Sequence, residues 1–529
     1  MIAILSTLAW GGDVLPERLA HWAEIATHDL AIDEIHPYRA ILLTDDVESW
    51  RVEAEFGFLI SEGGGRSRPT RVEVILGDDT LSSARFRGGR TVASPSLPID
   101  DLALAIDRDL WLSTDASFKG AVQQLELKRQ AVAQLGSPYP PDRTAALPVV
   151  SEPVVPVVPP DAALLRQVAL GGSARFAAHP GLRGGRVEAF ASSGRAILAT
   201  SDGTRVITPQ GYVTVYAWCD VQREDGVAPY ASRQWVARTP ADLPSIAVIN
   251  AELDALAESV LRRAQAPIVD YYEGPVVFEG QAAAALFRSL VVPEIAGTPP
   301  EPAPGRTYAQ LTRTGPRVGR QLLPAGWRVE DDPERSPFAP DTDRQGVPTG
   351  RVSLIENGKV DHLLMNDVPR ADLSGSTGNA RGYSGDAWSA RPWHLVVAPA
   401  KDLSDPAFDK AVHRAQVAAG LDRVLIVRRL TRQAGEGALP SVADAVWRRA
   451  DGTEEPVLTL EFQGADRRLL RDISAASGTH TGTWLQGVNA TTNGLPTGST
   501  TPERILVTQL EAVFPGTSSE PALYPPPTR

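Results

Sequence analysis

The sequence predicts an α+β protein with two β-rich halves, and three observations carry that reading. Alternating apolar runs with the period of a strand occur at 51–60 and again at 212–219. Two segments, 114–135 and 244–266, switch to a helical period. Gly (45) and Pro (44) are plentiful while aromatics make up only 6% of the 529 residues, as many turns and extended connectors require. A chain of this length exceeds one ordinary core, so two or more domains are expected.

In chain order, residues 1–10 have the apolar character of a short signal core. They lack a basic leader and a convincing cleavage site, so they read as the start of the fold. The run 51–60 places Val52, Ala54, Phe56, Phe58 and Ile60 on one face of a strand, with 71–76 as its neighbour. From 114 to 135, Phe118, Val122, Leu125 and Val132 fall on one side of a helix that Gly136 stops. A Pro-rich stretch follows at about 137–160, stiff and extended. Short strands are then expected between turns at Ser192-Ser193-Gly194 and Ser201-Asp202-Gly203.

The single cysteine, Cys219, shares the face of Val213, Val215 and Ala217 and reads as a buried structural thiol. It excludes an internal disulfide and any Cys-rich zinc site. In the second helix, Ile246, Ile249, Leu253, Leu256 and Val260 form a core stripe, and Pro267 ends it. The second half opens with a buried strand at 274–278 and an Ala-rich helix at 280–292. A second Pro-rich break at 298–304 follows. Asn357-Gly358, between strand-like runs at 352–356 and 359–364, marks a hairpin. A Pro-rich tail closes the chain.

The net charge is −12, from 64 acidic and 52 basic side chains. Such a surface repels phosphate backbones, and no Lys/Arg cluster offsets it, so nucleic acid is excluded as the main ligand. No run of about 18 apolar residues exists to span a membrane, and the cytoplasm is the expected location.

Residues 272–284, Tyr-Glu-Gly-Pro-Val-Val-Phe-Glu-Gly-Gln-Ala-Ala-Ala, resemble the strand-to-helix segment that opens the C-terminal domain of the TldD/PmbA family. Residues 343–358 are similar to that family's D-x-E-G-V…L-I-E-x-G run, and 376–381, Ser-Thr-Gly-Asn-Ala-Arg, to its Gly/Asn/Arg loop. The blocks keep the family's order. Weaker likeness runs through 37–40, 56–60, 71–77 and 110–115. The resemblance implies two domains: a mixed α/β N-terminal domain at 1–270, with 137–160 as a surface excursion, and a β-rich C-terminal domain at 271–515. Residues 516–529 are then a tail.

Active members of that family are zinc peptidases that act on extended, unstructured peptides. They are associated with microcin precursor maturation and antitoxin turnover, often as heterodimers with a sister lacking the metal motif. In active members the Ala-rich helix carries H-E-x-x-x-H, and a C-terminal cysteine resembles a further ligand. Zinc needs about three protein ligands to lower the pKa of its water, and a carboxylate to take the proton. Aligned through 280–286, the motif positions here fall on Arg288, Ser289 and Pro293. No histidine lies between His179 and His362, and Glu294 is the only acid from 280 to 300.

The eight histidines (His21, His28, His36, His179, His362, His394, His413, His480) form no metal-binding spacing, and there is no G-x-S-x-G elbow or P-loop. Ser376 and Ser384 have no visible base. No catalytic residue and no metal ligand is therefore assigned, and zinc is expected only in a catalytic partner. Gly378 and Asn379 tolerate positive φ, and Arg381 offers a rigid fork. By resemblance this loop lines a cleft and holds a peptide backbone; otherwise it is a tight turn with a solvated Arg. The reading is a non-catalytic subunit that binds unfolded peptide by strand addition and pairs with a zinc-bearing TldD-like partner. The alternatives are a stand-alone peptide-binding or scaffold protein, and an active metallopeptidase with unrecognised or shared ligands.

Overall fold

The computed structural model describes residues 13–32, 34–87, 91–135, 139–306, 315–384, 388–431, 437–486 and 495–516. The apolar opening 1–10, the helix stop Gly136, the start of the Pro-rich excursion at 137–138 and the tail from 517 lie outside them.

Three long strands frame the N-terminal half. In chain order its elements are α1 (Val14–His28), β1 (Arg39–Glu55), β2 (Phe58–Ser67), β3 (Thr70–Ile75), β4 (Val92–Ala93), α2 (Ala103–Ala133), β5 (Val150–Ser151), α3 (Ala162–Phe176), β6 (Gly184–Thr200), β7 (Arg205–Asp220), β8 (Tyr230–Ala237) and α4 (Ile246–Ala264). The sheet order is β4-β3-β1-β6-β7-β5, with β2 along β1 and β8 along β7. Alternation decides which face is covered. Ala40, Leu42, Val52 and Ala54 of β1, Val187 and Ala199 of β6, and Val213 and Val215 of β7 point to one face. There α1 and α2 cover one end of the sheet and α3 and α4 the other. The opposite face meets the C-terminal half, where Phe190 and Tyr212 pack against Leu485.

Cys219 is fully buried on the expected face, and burial pushes its thiol up to about 12, which keeps it inert. Helix α4 matches its apolar stripe and is capped by Ser245, whose Oγ accepts from the Val248 N–H.

Three expectations need correction. The run 51–60 is not one strand: Phe56 and Gly57 take φ of 51° and 87°, a two-residue hairpin turn between β1 and β2. Val52 and Ala54 stay buried, whereas Phe58 is 77% exposed. Ser192-Ser193-Gly194 is not a turn either, because β6 runs straight through it. A Cβ at Gly194 would lie 2.2 Å from the Asp46 carbonyl oxygen, so the glycine permits close strand approach. Finally, α2 starts at Ala103, well before the predicted 114, since the segment from Leu104 to Leu112 carries its own buried positions Ile106 and Leu110.

The Pro-rich excursion is stitched to the sheet. Lys128 Nζ meets Asp142 at 2.6 Å with both side chains buried, Tyr139 donates to Asp142, and β5 pairs with β7.

The C-terminal half comprises β9 (Tyr271–Glu279), α5 (Gln281–Leu290), α6 (Val292–Ile295), β10 (Arg328–Asp331), β11 (Val352–Glu356), β12 (Lys359–Val360), β13 (Ala380–Arg381), β14 (Ser389–Ala390), β15 (His394–Ala398), α7 (Asp405–Ala418), β16 (Arg423–Leu430), β17 (Val442–Arg449), β18 (Glu454–Pro456), β19 (Glu461–Gln463), β20 (Ile473–Ser477), β21 (His480–Gln486), β22 (Leu495–Thr501) and β23 (Arg504–Val513). They form one sheet ordered β18-β17-β16-β9-β23-β19 and a second ordered β12-β11-β10-β15-β22-β21. Helix α5 sits in the core that both sheets share: Leu286, Phe287 and Leu290 cluster with Phe278 and Leu425 of the first and Leu354 and Leu395 of the second. Asn357 and Gly358, at φ 50° and 76°, make the expected hairpin, although its second strand has only two residues instead of 359–364. No helix among the described residues is long and apolar enough to cross a membrane.

Candidate functional site

Several spaces lie between the halves, and α5 borders the first. Its apolar positions Ala282, Ala283, Ala285, Leu286, Phe287 and Leu290 are buried. That leaves Gln281, Ala284 and Arg288 along a narrow cleft of about 110 Å³, faced by Arg233 and Gln234 of β8 and by His480, Thr483 and Trp484 of β21. The cleft adjoins a wider space of about 550 Å³ bounded by Glu279, Asp444 and Glu503.

Of the three sequence-aligned motif positions, only Arg288 belongs to this lining, with its guanidinium 5.9 Å from the centre of the Trp484 ring. Ser289 and Pro293 are half-buried and outside it. Helix α5 ends at Leu290, and Pro293 falls in the short α6, so the helix does not carry the motif straight on.

Several charges of the cleft are paired, whereas Arg429 on its wall keeps a buried Nη1 without a hydrogen-bond partner. His480 Nδ1 lies 3.2 Å from Glu503, Glu279 lies 3.5 Å from both Arg428 and Arg448, and Arg233 meets Glu252 at 2.7 Å. The His480–Glu503 pair was not singled out from the sequence. From the sequence His480 is one histidine among eight, and its partner comes 23 residues later, in the turn between β22 and β23.

The donor set does not fit the zinc that the fold family implies. Arg288 offers no lone pair and a fixed positive charge, and His480 and Glu503 already bond each other. Among the described residues no three His, Cys, Asp or Glu side chains come close enough to hold a metal ion.

The Gly/Asn/Arg loop is neither an open peptide cradle nor a solvated turn. Gly378 has φ +73°, and a Cβ there would lie 2.1 Å from the Pro348 oxygen. Its N–H donates to Ser376 Oγ, and its carbonyl accepts from Trp393 Nε1. Asn379 is fully buried and donates to Asp331 (2.6 Å) and to the Arg391 carbonyl. Arg381, 4% exposed, donates to the carbonyls of Pro392 and Pro496 and to Thr497 Oγ1, and stacks 4.1 Å from the Trp393 ring centre. The fork does recognise carbonyls, but they belong to its own chain. Sequence reasoning missed this because the farther of those carbonyls lies 115 residues away.

The second space, of about 530 Å³, lies between the helix-free face of the N-terminal sheet and the C-terminal half. Phe190, Tyr212, Phe338 and Trp393 give it apolar walls, and Asp45, Arg51, Arg238, Asp343, Arg344 and Arg381 also border it. Asp45 pairs with Arg344 at 2.8 Å. Burial pushes Asp343 up to about 7, although the amides of Gln345, Val347 and Ala380 donate to it.

Residues 272–512 match the family described as the PmbA/TldA metallopeptidase C-terminal domain. Over this region the chain is a member of the TldD/PmbA family. Its fold extends over nearly the whole length of three crystal structures. One is a candidate modulator of a DNA gyrase from Thermotoga maritima, 16% identical, with a TM-score of 0.62 over 94% of this chain and 100% of that one. Another is TldE from Thermococcus kodakarensis, 14% identical, at 0.61 over 95% and 100%. A third is a candidate modulator of DNA gyrase from Bacteroides thetaiotaomicron, 12% identical, at 0.58 over 94% and 98%. At these identities the likeness is one of fold. No curated protein matches the chain. In TldD/PmbA terms, the matched region begins on β9 and includes α5, the loop 376–381 and the strand that carries His480.

Proposed function

We propose that this TldD/PmbA chain is a non-catalytic subunit of a cytoplasmic peptidase complex, which holds extended or unfolded peptide and pairs with a zinc-bearing TldD-like partner. The observation that carries the reading is the cleft-facing edge of α5. Gln281, Ala284 and Arg288 stand there, where a zinc peptidase needs imidazoles and a carboxylate base. Strand β8 supports the peptide-holding role. Among the described residues it pairs only with β7, so its second edge carries no strand ladder, and edge strands recruit extended chains through backbone hydrogen bonds.

The test is co-purification from the native host, with metal analysis of the isolated chain. The chain alone should carry no stoichiometric zinc and should not hydrolyse a casein-like unfolded substrate. Peptidase activity should copurify with a relative that has an intact H-E-x-x-x-H. About one zinc per chain after chelator-free purification would overturn the proposal. Arg288→His combined with Ser289→Glu should not create an active site, because position 289 is outside the cleft lining. Chelator-sensitive hydrolysis by that double variant would count against the placement of the motif.

A further inference from the structure

The second space between the halves holds an unmatched cation. Arg238, directly after β8, is half-buried and donates one hydrogen bond, from Nη1 to the Gly211 carbonyl (2.7 Å). Among the described residues no carboxylate lies within ion-pair distance of it, and burial alone lowers its pKa. Every other charge on the cavity wall has a partner. Asp45 holds Arg344 (2.8 Å), Glu188 lies 3.8 Å from Arg51, and Arg381 is spent on carbonyls. The wall therefore carries four guanidiniums against two carboxylates in a chain of net charge −12.

Two further groups lack partners and border the same space. Ser384 Oγ (residue 1% exposed) and Arg381 Nε (residue 4% exposed) have no hydrogen-bond partner. Neither atom has accessible surface, so the group that a ligand in this space can reach is the Arg238 guanidinium beside the apolar walls. Apolar walls with an unmatched guanidinium select an apolar body that ends in an anion. A planar carboxylate suits the fork of an arginine.

We propose that this cavity binds an apolar or aromatic group bearing a free carboxylate, with the carboxylate on Arg238 and the ring among Phe190, Tyr212 and Phe338. The source is the C-terminal residue of a peptide. Gln234 and Val236, in the space beside α5, alternate with Arg238 on one face, and four residues of strand span about 13 Å. An extended peptide along β8 thus reaches from the α5 cleft to Arg238. The carboxylate site stands apart from the reading of the α5 cleft; only the choice of a peptide end as its source rests on it.

Calorimetric titration of the full chain with N-acetyl-phenylalanine and with its amide tests the site. The acid should bind at least ~10-fold more tightly than the amide, as a charge-assisted contact implies. Arg238→Gln should abolish the preference, and Arg238→Lys should keep part of it. Arg288→Gln, in the other cleft, should leave it unchanged whether or not the subunit is catalytic. Equal binding of acid and amide, binding of neither, or a preference that survives in folded Arg238→Gln would overturn the site. If Arg238→Gln fails to fold, the acid–amide comparison on the unmodified chain decides alone. N-acetyl-Ala-Ala-Ala-Phe acid should bind more tightly than N-acetyl-phenylalanine if the source is a peptide end. Equal affinities would overturn that assignment.

Discussion

Asp46 and Asp343 are both withdrawn from solvent, and the two halves of the molecule hold them in opposite ways. Asp46, midway along β1 on the helix-covered face, meets Arg66 at 2.9 Å, Arg68 at 3.0 Å and Arg195 at 3.1 Å. Burial by itself would raise its pKa, but bonds from Arg66 and Arg68 outweigh it and hold the carboxyl below the usual range. Asp343, on the cavity side of the C-terminal half, accepts three backbone N–H groups at 2.9–3.0 Å and has no guanidinium within ion-pair distance among the described residues. There burial prevails, and the carboxyl rises to about 7. Full charges overcome desolvation where backbone dipoles do not. Asp46 therefore anchors an ionic knot between the two apolar clusters of the N-terminal sheet, whereas Asp343 has backbone as its counter-pole.

The sharpest way to break this comparison is Asp46→Asn. It leaves Arg68 and Arg195 without their shared counter-charge and should cost about 4 kcal/mol in urea unfolding at pH 7. The sign with pH follows from a folded pKa below the unfolded value of about 3.9. Asp46's contribution is present above about pH 4 and is lost as pH falls through the folded pKa. The variant should lack that acid limb. A cost under about 1 kcal/mol would show that Arg66, Arg68 and Arg195 do not depend on this carboxylate.

Arg381→Ala comes next, at about 3 kcal/mol, because it strips donors from the carbonyls of Pro392 and Pro496. The melting temperature should fall. Unchanged stability would return the loop 376–381 to the list of peptide-contacting candidates.

The smallest effect is expected from Asp343→Asn, about 2 kcal/mol at pH 4, since an amide NH₂ would face either the Ala380 N–H or the other two donors. Here the folded pKa is raised. Asp343's contribution is complete below about pH 4 and is lost as pH rises through about 7. Stability followed from pH 4 to 7 should decline in the unmodified chain and lack that component in the variant. Identical slopes would mean that the three amides outweigh burial after all.

Local patterns were legible where one element decides its own conformation. The stripe Ile249, Leu253, Leu256 and Val260 became α4, Asn357-Gly358 became a hairpin, and Cys219 lay on the face its alternation indicated. The pattern misled where a tight turn carries the alternation past a reversal, as at Phe56-Gly57, or where a glycine serves packing instead of turning, as at Gly194. The candidate site was legible only on α5. Arg288 was found through the helix, whereas Ser289 was aligned with the motif but stands outside the cleft.

By itself the sequence determined the helix α4, the Asn357-Gly358 hairpin, the family blocks on β9–α5 and the loop 376–381, and the lack of imidazoles on the Ala-rich helix. All of these follow from short-range spacing and residue type. Only the tertiary structure decided which charges meet. It spent Arg381 on carbonyls as far away as Pro496, paired His480 with Glu503, and left Arg238 facing a cavity without a counter-ion. Backbone conformation is settled largely by neighbours within a few positions. The partner of a side chain on a sheet face, by contrast, is supplied by whichever distant strand or loop packs against it.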